Sequence, residues 1–322
     1  MELILTKSAG GRSFSMTQRV EQATWSGDKG TIARRLDVTT LRHEAGPEVE
    51  IGDFLRLSHG GQRLFEGWAV WQRAQTGSSL LTWYAYDKGM WLKNNDGTVR
   101  CDGETPEGFT RRLCADFGIP VAALPSTGVQ LRRKFSGVAI AMIFATVWSL
   151  AEARTGRRYS LRMTPDGLLV KVREQSRSSL VLRSDSNLYS ASTTKSIVNM
   201  TNSVGIYSKD GQLLRTLQEA QAVKLYGQME RHLVQRDSVD VDAQARYLLE
   251  DGALDSTVTV RVRGDASLVT GETVMARDAA SGLEGLFWID SDRHIWRRGT
   301  YICELALNCR NVTARSSAGS EV

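Results

Sequence analysis

Two short runs hold residue types that could do chemistry. "DSDRH" brings Asp290, Asp292 and His294 together, and two carboxylates with an imidazole can be drawn as a metal site. Its place between "LFWI" and "IWRRGTYICEL" predicts a loop or strand end instead. Ser192-Thr193-Thr194-Lys195 matches the SxxK of serine acyl-enzymes. That chemistry needs an apolar helix behind the nucleophile and partner motifs, whereas this run is polar on both sides. The remaining histidines, His43, His59 and His232, lack metal-ligand spacing, and no HExxH, GxSxG, P-loop or GxGxxG after a strand occurs. Carboxylate pairs for glycoside hydrolysis obey no linear spacing rule, so they stay open. The residues thus predict no enzyme: no catalytic, cofactor-binding or metal site is assigned.

The four cysteines, Cys101, Cys114, Cys303 and Cys309, form no CxxC pair. In "YICELALNC", Tyr301, Cys303, Leu305, Leu307 and Cys309 share one strand face. Six residues of strand hold the last two sulfurs roughly 20 Å apart, too far to bridge. All four read as small core residues in a reducing compartment.

The elements that must position these groups are mostly strands. With 322 residues, 41% hydrophobic and 24% charged, the chain has the composition of two or three globular domains. Many glycines (29) and few prolines (5) suit strands joined by tight turns. The net charge of +5 is spread over doublets such as Arg34-Arg35, Arg157-Arg158 and Arg297-Arg298, which read as solvated faces or subunit contacts. The N-terminal apolar run is too short for a signal peptide. Val138 to Ala151, the most apolar stretch, is shorter than the roughly 20 residues a membrane span needs and predicts a core helix.

Residues 17 to 99 alternate as strands, with "SGDKG" and "SHGG" as turns. Thr105 then caps a helix that starts at Pro106, repeats apolar residues at Phe109, Leu113 and Phe117, and stops at Gly118. A second helix runs from about Val138 to Thr155, and a hairpin turns at Pro165-Asp166-Gly167. "RSDSNLYSASTTKS" predicts a linker or crossing strand, and Lys209-Asp210-Gly211 a further hairpin. A helix over 241–251 is capped by Asp240 or Asp242 and stopped by Gly252. "STVTVRVRGD" and the strand from Tyr301 close the chain. The expected fold is mainly β with an α+β insert: a first small antiparallel barrel over 1–100, the insert over 101–185, a related second barrel over 186–312, and a flexible tail over 313–322.

The two β regions echo each other. "EIGDFLRLSHGGQRLFEGWAVW" from Glu50 and "LVTGETVMARDAASGLEGLFWID" from Leu268 both run Gly-acid, apolar strand, loop, Glu-Gly, aromatic strand. Such pieces are common in β proteins, so the echo suggests a duplication without proving one.

The chain resembles the XkdQ/YqbQ-like tail proteins of PBSX-type prophages, relatives of the contractile-phage baseplate hub and the VgrG hub region. The likeness lies in Trp25-Ser26-Gly27-Asp28 with Ala33-Arg34-Arg35-Leu36, Gly52-Asp53, Leu64-Phe65-Glu66-Gly67, Tyr86-Asp87 and Trp91-Leu92. It continues through Asp116-Phe117-Gly118-Ile119-Pro120, Thr127-Gly128 and Thr155-Gly156-Arg157-Arg158-Tyr159. Asn199-Met200-Thr201-Asn202-Ser203-Val204, Tyr226-Gly227, Gly264-Asp265, Gly285 and Ile289-Asp290-Ser291-Asp292-Arg293-His294 complete it. Each piece is turn chemistry or a strand start; their shared order is the specific part. Asn94-Asn95 departs from the pattern, as do the first twenty residues and the tail.

The resemblance implies a homotrimeric hub in the virion tail baseplate, made in the host bacterial cytoplasm, without membrane insertion. It implies a hexameric tail tube or tube-initiator protein above, a trimeric central spike below, baseplate wedge proteins around it, and no cofactor. Two other classes remain at this level: a tail-associated peptidoglycan hydrolase and a DNA-contacting tail component.

Overall fold

The computed structural model describes residues 1–8, 10–42, 47–174, 180–235, 241–278, 282–311, 313 and 316–320. The chain forms two compact units, Met1–Ala191 with Thr259–Val322, and Ser192–Val258.

The first unit opens with β1 (Glu2–Thr6), β2 (Ser13–Ser15), β3 (Val20–Asp28), β4 (Arg35–Leu41), β5 (Phe54–His59), β6 (Gln62–Ala74) and β7 (Leu80–Tyr86). Period-two alternation decides which face each strand buries. In β4, Leu36, Val38 and Thr40 are buried; in β7, Leu81, Trp83 and Ala85 are. The apolar ones, Leu36, Val38, Leu81, Trp83 and Ala85, join Leu3, Leu5, Leu55, Leu57 and Phe65 in one core.

The insert follows as α1 (Gly89–Asn94), β8 (Asp96–Glu104), α2 (Pro106–Asp116), β9 (Val121–Ala123), β10 (Leu131–Ala139), α3 (Ile140–Thr155), β11 (Tyr159–Thr164) and β12 (Gly167–Val172). Thr105 caps α2 by accepting from the Gly108 amide at 3.2 Å, with Pro106 in the first turn. Phe109 and Leu113 of α2 pack with Ile140, Ile143, Phe144, Val147 and Ala151 of α3, the stripe that the sequence spacing predicts. Trp148 joins them and donates its indole N–H to Thr110 at 3.1 Å, so this buried polar atom has a partner. Residues 316–320 lie along this insert: the Ala318 amide donates to Thr146 Oγ1 at 3.1 Å, and Ser320 and Lys134 exchange backbone bonds at 2.9 Å.

After β13 (Val181–Leu182), the chain leaves the first unit through β14 (Leu188–Ser196). The second unit holds β15 (Ser203–Tyr207), β16 (Leu213–Gln218), α4 (Ala220–Tyr226), β17 (Glu230–Val234) and α5 (Val241–Asp251). Its sheet order is β16-β15-β17, and Val204 and Ile206 meet Val241, Ala245 and Leu249 of α5 in a small core. The helix matches the expected span; the Asp240 cap lies outside the described residues. The chain returns through β18 (Asp255–Arg263), then β19 (Thr273–Asp278), β20 (Leu283–Arg297) and β21 (Thr300–Asn308).

Mainly β architecture with an α+β insert is what the residues predict, but the two separate barrels are not what forms. One 13-stranded sheet runs β14-β18-β21-β20-β3-β4-β7-β6-β5-β1-β2, with β19 on β20 and β13 on β19. Among the described residues this path does not close on itself. The reason is a long-range pairing: the outer edge of β3 pairs antiparallel with β20, Gln22 to Asp28 against Arg297 to Ser291. That edge is satisfied by the other half of the chain rather than by a strand of its own.

The sheet nevertheless contains one topology twice. Strands β3, β4, β5, β6 and β7 lie in the order β3-β4-β7-β6-β5; strands β14, β18, β19, β20 and β21 lie in the order β14-β18-β21-β20-β19. Numbered from one to five, both read 1-2-5-4-3. The second unit occupies the connection between first and second strands, where the first copy has only the short turn between Asp28 and Arg35.

Candidate functional site: repeated corners, a buried seam and two open edges

The two Gly-acid corners are built alike. Gly52 has φ +90° and Gly271 φ +91°, a region that favours glycine. The Gly52 amide donates to Ala69 O at 2.8 Å and Ala69 N to Asp53 O at 2.9 Å. Likewise Gly271 N donates to Ile289 O at 2.9 Å and Ile289 N to Glu272 O at 3.0 Å. Both following strands carry an irregularity just beyond, between Ala69 and Trp71 and between Ile289 and Ser291. Trp68 opposes Phe54 as Trp288 opposes Thr273.

The acids at these corners each hold cations. Lys7 Nζ lies 2.8 Å from Asp53 Oδ2, and the carboxylate also accepts from the Ser8 and Glu50 amides at 2.9 and 2.8 Å. Burial would raise the Asp53 pKa, but Lys7 and the two amides hold it below the usual carboxylate range. Glu272 is gripped by Arg162 at 3.0 Å and Lys171 at 2.7 Å, with the same downward result against its burial.

The Glu-Gly part of the echo is not equivalent. Gly67 opposes Leu55, whereas Gly285 opposes Ala276, two residues out of step with the shared corner. Gly67 is needed because a Cβ there would fall 2.2 Å from Tyr86 O; Gly285 has open space but φ +124°.

Where β20 meets β3, a polar cluster is sealed in the sheet. Asp292 and His294 are fully buried, and Arg34 is 3% exposed. Arg34 Nη1 donates to Asp292 Oδ1 at 3.1 Å, Nη2 reaches Oδ2, and the guanidinium lies 3.8 Å over the Trp25 ring. Thr270 adds its amide and hydroxyl to Asp292 Oδ1, each at 2.6 Å. Burial opposes ionisation of Asp292, yet Arg34 and His294 hold its pKa well below the ordinary value. His294 Nδ1 contacts Tyr301 Oη at 2.8 Å and Cys303 Sγ at 3.2 Å; Nε2 contacts Leu268 O at 3.1 Å. Burial pushes the Cys303 thiol up to about 12. A neutral thiol inside a sheet is a packed residue, not a nucleophile.

The sequence expectations divide accordingly. "DSDRH" is no loop or strand end: it lies inside the 15-residue strand β20, where Asp290 pairs with Lys29 at 2.7 Å and Asp292 with Arg34. Such pairing is what lets a strand carry those charges internally. Arg34 is therefore not on a solvated face. Ser192 to Lys195 lie in exposed strand β14, so the serine stands on a strand and not at the start of a helix. Cys101, Cys114 and Cys303 are buried as expected, but Cys309 falls past the end of β21 and is exposed. His59 meets the Tyr301 ring edge-on with centroids 4.6 Å apart, His232 is on β17, and His43 lies outside the described residues. Among the described residues no group of three His, Cys, Asp or Glu is arranged to hold a metal. The Arg34–Asp292 pair left no linear signal, since 258 residues separate its members.

Among the described residues, the strand edges left open include the end of β6 and the outer edge of β14. Residues 71–74 of β6 pair with β7 on one side and are exposed, whereas β5 stops pairing at Trp68. Strand β14 ends the sheet path and is exposed along most of its length.

A YQBQ-like family model matches residues 23–308. The phage-like element PBSX protein XkdQ of Bacillus subtilis (strain 168) is 20% identical over 286 residues, 85% of this chain and 87% of that protein. The 43 kDa tail protein of prophage MuSo2 from Shewanella oneidensis has a similar structure, with TM-score 0.75, 12% identity, and 95% and 97% of the two chains covered. A tail protein from Neisseria meningitidis MC58 gives TM-score 0.73 at 18% identity, covering 95% and 96%.

Proposed function

The chain belongs to the YQBQ-like family, and from that premise we propose that it is a structural hub of a contractile phage or phage-like tail baseplate. Three copies form a ring that joins a hexameric tail tube, or its initiator, to a trimeric spike, with wedge proteins around the rim. The chain acts by shape and contact and performs no reaction.

The observation that carries this reading is the twofold use of the 1-2-5-4-3 topology. A ring of three such chains presents six similar sheet segments, which suits a sixfold neighbour. The insert and the Ser192–Val258 unit occur once per chain, so surfaces built from them stay threefold. A trimer thereby meets a hexamer without leaving half of the hexamer's contacts unmatched.

Electron microscopy of tail particles carrying a tagged copy of the chain tests the reading. Label confined to the tail tip, and tails that fail to start when the chain is removed, are the expected results. Label along the tube or on the sheath would overturn it. Cleavage of peptidoglycan by the purified chain would favour the hydrolase instead.

A further inference from the structure

We propose that a cavity between α3 and the β3–β4 turn binds the hydrocarbon chain of a small anionic amphiphile, a medium-chain carboxylate, with its head at Lys93. The proposal goes beyond the hub reading and does not rest on it.

The cavity lies within the first unit, has a volume of about 260 Å³ and has mostly apolar walls. Its size decides what it holds. A dry apolar cavity of about 150 Å³ accepts benzene, so this larger one takes a chain of roughly eight to ten carbons.

The space exists because one face of α3 is left uncovered. The helix is apolar nearly all round, a pattern that suits burial on every side. One stripe, from Ile140 to Ala151, fills the insert core. A second stripe, Ala141, Met142 and Ala145, lines the cavity; none of the three is buried, and Met142 is 48% exposed. The β3–β4 turn and α1 line it with Gly30, Ala33 and Gly89, whose short side chains leave the space unfilled.

Two close approaches fix the walls. A Cβ on Gly89 would fall 2.5 Å from Ala33 Cα, and one on Gly271 would fall 2.8 Å from Ser160 Cβ. All four residues line the cavity. Both contacts are already closed, so the walls cannot move inward there without displacing backbone. The site is therefore preformed, and a ligand spends little affinity on shaping it.

Charge selects the head group. The buried charged groups of the lining have partners in the chain: Arg173 is 3.3 Å from Asp290, and Glu152 accepts from the Tyr159 amide at 2.9 Å. Lys29 is 2.7 Å from the same Asp290. Lys93 also lines the cavity, but it is exposed and has no ion-pair partner among the described residues. An amphiphile whose chain fills the cavity meets this cation at the rim, where a carboxylate is attracted and an ammonium repelled. A surface pair is worth little energy, so the chain supplies the affinity and Lys93 the preference.

Isothermal titration of the full chain with sodium decanoate and with decyltrimethylammonium reads the two contributions. One decanoate per chain is expected, bound about fivefold tighter than the cation. Ala145→Trp places a large ring in the cavity and should weaken decanoate at least tenfold with the circular dichroism unchanged. Lys93→Glu is expected to keep the site and abolish the preference for the anion. Absence of saturable decanoate binding would overturn the proposal, as would undiminished binding to a folded Ala145→Trp chain. Should Ala145→Trp fail to fold, Lys93→Glu decides: an unchanged preference for decanoate puts its site elsewhere and overturns the proposal equally.

Discussion

Arg34 and Asp292 stand 258 residues apart and meet as a forked ion pair inside the sheet, Nη1 to Oδ1 at 3.1 Å, where the two repeats join. The pair fixes the β3–β20 seam from both sides: Arg34 follows β3 at the turn into β4, and Asp292 lies in β20.

Removing one partner strands a buried charge. Arg34→Met is expected to destabilise the first unit by about 3–5 kcal/mol. The double variant Arg34→Met/Asp292→Leu is expected to cost clearly less than the single one, because no charge remains unpaired. Denaturant unfolding of the three proteins checks the order; a double variant worse than the single would contradict it.

The two corners predict unequal costs for one substitution. A Cβ on Gly52 meets open space, so Gly52→Ala is expected to lose only the left-handed backbone preference, about 1–2 kcal/mol. On Gly271 the same Cβ would also fall 2.8 Å from Ser160 Cβ, and Gly271→Ala should cost more. Thermal melts of both variants give the comparison.

Asp87 sets a pH dependence. Its carboxylate accepts from the Arg34 and Gly89 amides, both at 2.9 Å, but burial dominates and raises its pKa from 3.8 to about 7. Between those values the folded chain keeps a proton that the unfolded chain has lost. Stability from this group therefore falls as pH rises from about 4 to about 7 and is level above that. Asp53 and Glu272, with lowered values, act oppositely in more acidic solution, where protonation removes their stabilisation. A stability maximum on the acidic side of neutrality is expected from urea titrations across pH. In Asp87→Asn the decline towards neutral pH should disappear.

Thiol reactivity follows burial. Burial pushes Cys101 up to about 11 and Cys114 and Cys303 up to about 12. Cys309 is exposed. A maleimide at neutral pH is expected to label Cys309 alone in the folded chain and all four cysteines in denaturant. Mass spectrometry of the digested protein reads the sites.

Much of the fold was legible because the signals are local. The α2 cap at Thr105, the α3 stripe from Ile140 to Ala151 and the buried alternation of Val258, Val260 and Val262 each follow from a spacing within one element. The Gly-acid echo was also a true sign of repetition, since Gly52 and Gly271 occupy the same backbone state. Its Glu-Gly companion was not, because Gly67 and Gly285 answer different constraints at shifted positions. What stayed hidden is long-range. No local pattern says that the edge of β3 will choose β20 over closing its own barrel, or that Arg34 will be neutralised by a carboxylate near the other end of the chain.

In the proposed hub, one chain carries two equivalent segments so that three chains make a six-part ring. Native mass spectrometry of the purified chain, read together with end-on particle images, tests it most directly. The expected result is a species three times the 35.6 kDa of one chain whose inner wall repeats six times per turn. A stable monomer, or a ring whose inner wall shows only threefold repetition, would contradict it.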